Sequence, residues 1–407
     1  MIQIRNIKQP EYSTSQQSIK ANNTSLLLNT IRDRMPISRT ELAKVVDLCP
    51  STVSNLVDDL LASGWVVETA QAESGSRGRR AVLLEVSAAR GCVATVELLG
   101  RGYICTLYDV CLKKRRGIRV RDTLCSGEGI GDTICALLRE CRLDSCMLLG
   151  IHLIFPGVVD PVSGDLVRSV VIPDAEIIDR HLVLRLQKRF PNAHVMMSSN
   201  GTIIAFEEFI ARGGDALPLL SLNIDEAIFG GVVLSDPENN LHFCFPLEVG
   251  HLLVDYRGAR CKCGNRGCLE TLCATPVLFR RLRDEAGLAL EYSEAFGSDC
   301  NVAAMERTAE ELRAGNQAVG AVLGDYVFTL CSALSSVVNL FDIRSVRIGG
   351  DIALLGEPFL AMLRETMRAE FRPLDDTYGT HVGLFASDYE RVRLAATVMC
   401  LDSLLRK

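Results

Sequence analysis

The chain has 407 residues, 48% hydrophobic and 23% charged, with a net charge of −6. That length supports two or three domains with real cores, and the balance excludes a disordered chain. No run approaches the 18 apolar residues of a membrane span, the polar start is no signal peptide, and sixteen cysteines lack a disulfide framework. A cytoplasmic protein with no membrane partner is expected. Residues 1–90 carry 11 Lys and Arg against 9 Asp and Glu, the remainder 33 against 41, so a slightly basic head (+2) precedes an acidic body (−8).

Residues 1–22 read as a flexible polar arm, and residues 23–88 as a winged helix-turn-helix. Leu26, Leu27 and Ile31 recur at helical spacing as far as Met35, and Pro36 ends that helix. Ser38-Arg39-Thr40-Glu41 is a capping box for a short second helix. Pro50 suits the first position of a third, in which Val53, Leu56, Val57, Leu60 and Leu61 form one apolar stripe. Two strands then flank the basic loop ESGSRGRR. In this plan Ser51, Thr52, Ser54 and Asn55 of the third helix would face a major groove of double-stranded operator DNA. Arg39 is a further candidate DNA contact, and the loop residues Arg77, Arg79 and Arg80 would bind phosphates or enter the minor groove. The third helix has no Lys or Arg and carries Asp58 and Asp59 toward its far end, so affinity would lean on the arm and the wing.

From about residue 89 the pattern becomes α/β. Three strands, the helix GIGDTICALLREC and the strand MLLGIHLIF lead to a Phe-Pro-Gly segment at 155–157. An amphipathic helix and the strand AHVMMSSN follow, then the helix TIIAFEEFIARG and further strands. Residues 89–199, completed by a last helix at 388–407, form one expected lobe, and residues 200–387 a second.

The second lobe contains Glu248 to Glu270, EVGHLLVDYRGARCKCGNRGCLE. His251, Cys261, Cys263 and Cys268 fall within 18 residues and suit one tetrahedral structural Zn²⁺ per chain. Gly264 and Gly267 permit the tight backbone between them.

The runs E-x-G-H and C-x-C-G-x-x-G-C-L-E resemble the signature of the ROK family of sugar kinases and sugar-responsive repressors. Similarity to its repressor branch, which holds N-acetylglucosamine and xylose repressors, implies an actin-like, two-lobed body around a cleft behind the DNA-binding head. The resemblance also implies that Asn200, Glu248, His251 and Glu270 bind sugar hydroxyls, and that the protein is a homodimer or larger homo-oligomer.

Kinase chemistry is degenerate by the same comparison. Gly201 stands where the family's kinases have the Asp base of an N-D pair, and a glycine accepts no proton. The first phosphate loop is missing from Val93–Gly102. The second reads Asp225-Glu226-Ala227-Ile228-Phe229-Gly230-Gly231, which sets two carboxylates where polyphosphate would lie. No catalytic residue is expected. Loss of charge and volume at Gly201 would let a sugar phosphate, as well as a sugar, act as effector. The expected function is regulation, by repression, of carbohydrate uptake or catabolism genes. The rivals are a sugar kinase with a DNA-binding head and a regulator controlled by a protein partner.

Overall fold

The computed structural model describes residues 4–5, 16–71, 82–99, 102–121, 125–144, 147–160, 164, 166–169, 181–213, 217–236, 241–293, 299–371, 379–386 and 388–405. The chain falls into two compact units. The first comprises Met1–Ser198, Asp236–His242 and Arg393–Lys407, and the second Ser199–Ser235 and Phe243–Val392.

The first unit opens with a two-residue strand β1 (Ile4–Arg5) and a helical segment of α1 (Gln16–Arg34), α2 (Arg39–Val46) and α3 (Pro50–Ala62). Helix α1 begins seven residues before Asn23, where the sequence pattern first becomes amphipathic, so the arm reading of residues 1–22 is corrected from Gln16 onward. Gln, Lys and Ala keep their rotamer freedom in a helix, and neither Gly nor Pro interrupts residues 16–34. The capping box forms at α2. Ser38 Oγ accepts the Glu41 N–H at 3.2 Å, and Glu41 Oε2 accepts the Ser38 N–H at 3.1 Å. Asp47 closes α2 in the left-handed conformation, and the α3 stripe Val53, Leu56, Val57 and Leu60 is buried.

A small antiparallel sheet, in the order β2 (Ile37–Ser38), β4 (Val82–Val86), β3 (Val66–Gln71), leans on these helices. The basic loop with Arg77, Arg79 and Arg80 lies outside the described residues.

The remaining strands of the first unit are β5 (Cys92–Leu98), β6 (Gly102–Asp109), β7 (Lys114–Arg121), β8 (Leu148–Phe155) and β11 (His194–Ser199). The short hairpin β9 (Val158–Val159) and β10 (Leu166–Arg168) lies between the last two in sequence. The main sheet runs β11-β8-β5-β6-β7, with β5 parallel to β8 and antiparallel to β6. Helices α4 (Gly127–Glu140) and α5 (Leu182–Arg189) supply Ile130, Ile134, Leu182 and Leu186 to its core.

The C-terminal helix α12 (Tyr389–Leu405) returns to this unit from Arg393 onward. Its Cys400 and Leu401 share a core with Leu27, Leu28 and Ile31 of α1 and with Val93 and Leu149. Asp402 Oδ1 accepts from Ser25 Oγ at 2.7 Å and from Asn29 Nδ2 at 2.9 Å. Arg32, also buried, lies beside the same carboxylate, which offsets the burial that pushes its pKa down. Farther along α12, His152 of β8 faces the Ala396 carbonyl through Nδ1 (2.6 Å) and Ser198 Oγ through Nε2 (2.9 Å). The carbonyl can only accept, so Nδ1 carries the proton and Nε2 accepts from the serine. A third tie joins His194 Nε2 to Ser403 Oγ at 2.9 Å. The helix is thus held by α1 on one side and by β8 and β11 on the other.

The second unit contains α6 (Asn200–Ala211), β12 (Leu219–Ile224), β13 (Ile228–Asp236), β14 (Leu241–Leu247), α7 (Glu270–Cys273), α8 (Thr275–Ala286), α9 (Asp299–Arg313), α10 (Gln317–Phe341), β15 (Ser345–Gly349), α11 (Gly356–Glu370) and β16 (His381–Leu384). Five strands of its six-stranded sheet follow the order β14-β13-β12-β15-β16, with β12 antiparallel to β13 and parallel to β15. Third, second, first, fourth, fifth is also the strand order of the first unit, so one plan is used twice without an exact sequence repeat.

Helix α10 is long and apolar enough to cross a membrane by length and composition. Its Leu323, Tyr326, Leu330 and Leu334 are instead the centre of the second unit's core.

Candidate functional site

The four metal-ligand candidates come together. The donor atoms of His251, Cys261, Cys263 and Cys268 all lie within 4.8 Å of one another. Cys261 Sγ is 3.6 Å from His251 Nδ1, and Cys263 Sγ is 3.7 Å from Cys268 Sγ. A tetrahedron with metal–sulfur bonds of about 2.3 Å and a metal–nitrogen bond of about 2.05 Å has edges of about 3.8 and about 3.6 Å. The measured separations are those edges, so the residues fit one four-coordinate ion.

The backbone makes this possible. Cys261 N–H donates to Asn265 O at 2.8 Å, and Gly267 N–H to Ala259 O at 2.8 Å, which closes a miniature hairpin. Gly267, at φ +65°, packs so tightly that a Cβ would meet the Asp255 carbonyl oxygen at 1.4 Å. Burial, followed by the neighbouring thiols, pushes the Cys268 thiol up to about 12. A divalent ion bound there would instead hold these residues as thiolates. The other imidazole nitrogen, His251 Nε2, lies 3.7 Å from Glu248 Oε2, a carboxylate placed to orient a metal-bound histidine.

The sugar-site candidates share a platform that the sequence did not announce, the first residues of β13. Glu270 Oε2 accepts the Ile228 N–H at 3.1 Å. Gly250, between Glu248 and His251, packs on Ile228, where a Cβ would lie 2.3 Å from the carbonyl oxygen. Gly201, next to Asn200 in the first turn of α6, packs on Gly230, and Gly231 packs back on Gly201. Glycine backbone contacts carry Asn200, Glu248 and His251 on one strand, and the Glu270 carboxylate reaches the same strand through its hydrogen bond to Ile228. The signal was present in Gly201, Gly230, Gly231 and Gly250, but which glycines meet is a property of the fold. Asn200 Oδ1 is buried with no hydrogen-bond partner among the described residues, an acceptor fitted to a ligand hydroxyl.

This geometry corrects the expectation about Gly201. A Cβ there would lie 1.9 Å from the Gly230 carbonyl oxygen, so the glycine is a close backbone approach rather than a freed side-chain space. The carboxylates at 225 and 226 also need correction. Glu226 is exposed, but Asp225 turns inward. Its Oδ1 accepts the Asp351 N–H at 2.5 Å, and its Oδ2 accepts from Asn223 Nδ2 and, at 3.4 Å, from the Tyr389 hydroxyl. Burial and the nearby Asp351 raise the Asp225 pKa to about 7. It is a lock on the Gly349-Gly350-Asp351 turn rather than a full outward charge. Where the first phosphate loop was missed, β5 is a wholly buried strand whose one carboxylate, Glu97, pairs with Arg393 of α12 at 2.7 Å.

In the N-terminal segment Ser51 and Asn55 of α3 are exposed, whereas Thr52 and Ser54 are half-buried. Arg39 is already engaged, with Nη1 at 2.7 Å from Asp58 and 3.2 Å from Ser54 Oγ, and Nη2 at 3.2 Å from Glu68. The guanidinium braces α2, α3 and β3, and Asp58 is neutralised by it.

Residues 99–378 match the model of the ROK family. The xylose repressor of Caldicellulosiruptor bescii is 26% identical over 356 residues, covering 86% of this chain and 88% of that protein. Among solved structures, a ROK family transcriptional regulator described as a homolog of the Escherichia coli MLC protein superposes with a TM-score of 0.71 at 20% identity, covering 96% of this chain and 97% of its own. A ROK hexokinase from Thermus thermophilus gives a TM-score of 0.54 at 20% identity, with 75% of this chain and 97% of its own covered. The actin-like kinase-type body and the N-terminal helical segment are thus both accounted for, and the chain belongs to the ROK family.

Proposed function

We propose that the protein is a sugar-responsive DNA-binding transcriptional repressor of carbohydrate genes, acting in the cytoplasm as a homodimer or larger homo-oligomer. One observation carries the reading. The regulator structure covers nearly the whole chain, whereas the hexokinase leaves a quarter of it unmatched, a share about the size of the N-terminal segment plus its link.

In this reading residues 23–88 are a winged helix-turn-helix. Ser51 and Asn55 reach base edges, Thr52 and Ser54 support them, and Arg77, Arg79 and Arg80 neutralise phosphates. His251, Cys261, Cys263 and Cys268 hold a structural Zn²⁺, which fixes the knuckle and with it His251 and Glu248. Asn200, Glu248 and Glu270 recognise vicinal hydroxyls of a sugar, and His251 joins them. A mismatched ligand would leave such groups buried and unpaired, which gives selectivity. The effector is a sugar or a sugar phosphate, and the free sugar is favoured because Gly201 frees no side-chain space. The same closed position, without a base, supports a regulator that does not phosphorylate its ligand.

The test is fluorescence anisotropy of DNA from upstream of the protein's own gene, titrated with xylose, N-acetylglucosamine, glucose and their phosphates. Release by one free sugar is expected. Steady ATP turnover with any of these sugars in a coupled assay would defeat the reading.

A further inference from the structure

The hairpin that carries the cysteines also has an outer surface, which neither the metal nor the sugar reading uses. Arg260 and Arg266 face each other across an antiparallel bridge, and both are exposed. Like charges directly opposite on paired strands are destabilising. Among the described residues neither arginine makes an ion pair, and between Leu252 and Leu269 the chain has four cations (Arg257, Arg260, Lys262 and Arg266) and a single carboxylate, Asp255. Asp255 is half-buried and accepts the Arg257 N–H at 2.9 Å.

The segment therefore carries +3, or +2 once a divalent ion and three thiolates are included, on a chain whose total is −6. Nor can the backbone twist the arginines apart. The two 2.8 Å hydrogen bonds that close the hairpin flank them, and Gly267 is jammed against Asp255.

Two large apolar side chains are exposed on the same short element, Leu253 at 64% and Tyr256 at 70%. The Arg257 guanidinium lies 5.0 Å over the Tyr256 ring. Arginine and tyrosine are the residues that dominate the centres of protein interfaces.

We propose that the outer surface of the metal knuckle docks an acidic segment of a protein partner. Arg260 and Arg266 take its carboxylates as paired forks, while an apolar residue of the partner covers Leu253 and Tyr256. Charge complementarity selects this occupant. A second copy of the knuckle would set four cations against four, and a nucleic acid would leave Leu253 uncovered. The proposal stands apart from the sugar and operator reading, and either holds without the other.

The experiment pans a random dodecapeptide library on the full-length, zinc-loaded protein, with counter-selection on R260E/R266E. Metal content and far-ultraviolet circular dichroism verify that the variant is folded. Enriched peptides rich in Asp and Glu around an aromatic or aliphatic residue are expected, binding the variant at least tenfold more weakly in fluorescence anisotropy. R260K/R266K should recover part of that loss. Peptides without acidic character, equal binding to both proteins, or no enrichment over the counter-selection would overturn the proposal. So would a 30-base-pair random duplex whose binding falls in the variant while peptide binding does not.

Discussion

The metal knuckle and the joint between α1 and α12 are both clusters of polar groups, and they are assembled in opposite ways. The knuckle draws its four donors from 18 consecutive residues, and a tight hairpin with two glycines in left-handed geometry brings them together. In the joint, Ser25 and Asp402 are 377 positions apart and meet only when the first unit is complete. The knuckle is a local device that a metal ion can close by itself. The joint depends on the whole fold, and its Arg32 keeps Nε and Nη1 without hydrogen-bond partners among the described residues. A buried network left partly satisfied is costly, and it is the kind of place where a structure gives way first.

The largest expected effect sharpens this contrast. Removing the metal with a strong chelator, or replacing the buried ligand in C268S, should lower the melting temperature by roughly 10 °C or more, because structural zinc contributes folding free energy directly. Melting curves with metal analysis check this, and an unchanged curve after complete metal loss would make the knuckle dispensable.

Next comes D402A, which strips the shared acceptor from Ser25 and Asn29 and leaves the Arg32 cation buried. A loss of about 3 kcal/mol is expected, together with faster hydrogen exchange in α1 but no change in bound metal. If exchange accelerates equally throughout the second unit, the joint is not a local weak point.

G201A should cost about 2 kcal/mol through overpacking against Gly230, and G201D should gain no kinase activity. Both are read by denaturant unfolding and a coupled assay. A stable G201D that turns over ATP would break the platform account.

The smallest effect is a pH dependence. Burial lowers the His152 pKa to about 4, below its ordinary 6.5. The unfolded chain then binds more protons between these values, so stability falls as pH drops from about 6.5 towards 4. At pH 5 the expected loss is about 2 kcal/mol relative to pH 8, present in the wild type and absent from H152Q. Unfolding of both proteins at the two pH values supplies the difference, in which other titrating groups cancel.

How much of this was legible in the sequence follows the same division. The cluster of four metal-ligand candidates, the Ser38–Glu41 capping box and the α3 stripe are local patterns, and each comes together in the structure. Strand β14 was missed although Leu241, Phe243, Phe245 and Leu247 fall at every second position, and β16 is only four residues long. The early start of α1 was hidden because Gln16–Lys20 has helix-forming residues but no apolar stripe. Gly201 was read as a deletion of chemistry, whereas its geometry is that of a close backbone approach. Asp225 was read as an outward charge, and only the fold reveals Asn223, Tyr389 and the Asp351 amide converging on it. Asp402 carried no signal at all, because its partners lie at the other end of the chain.

The central claim is that one protein binds a sugar and operator DNA in competition. The most direct measurement is calorimetric titration of the releasing sugar into the protein alone and into the protein saturated with its upstream DNA. Linkage requires that if the sugar weakens DNA binding by a given factor, DNA weakens sugar binding by the same factor. The account predicts a weaker sugar affinity in the presence of DNA, by the factor seen in the anisotropy titration. Equal sugar affinity with and without DNA would contradict it.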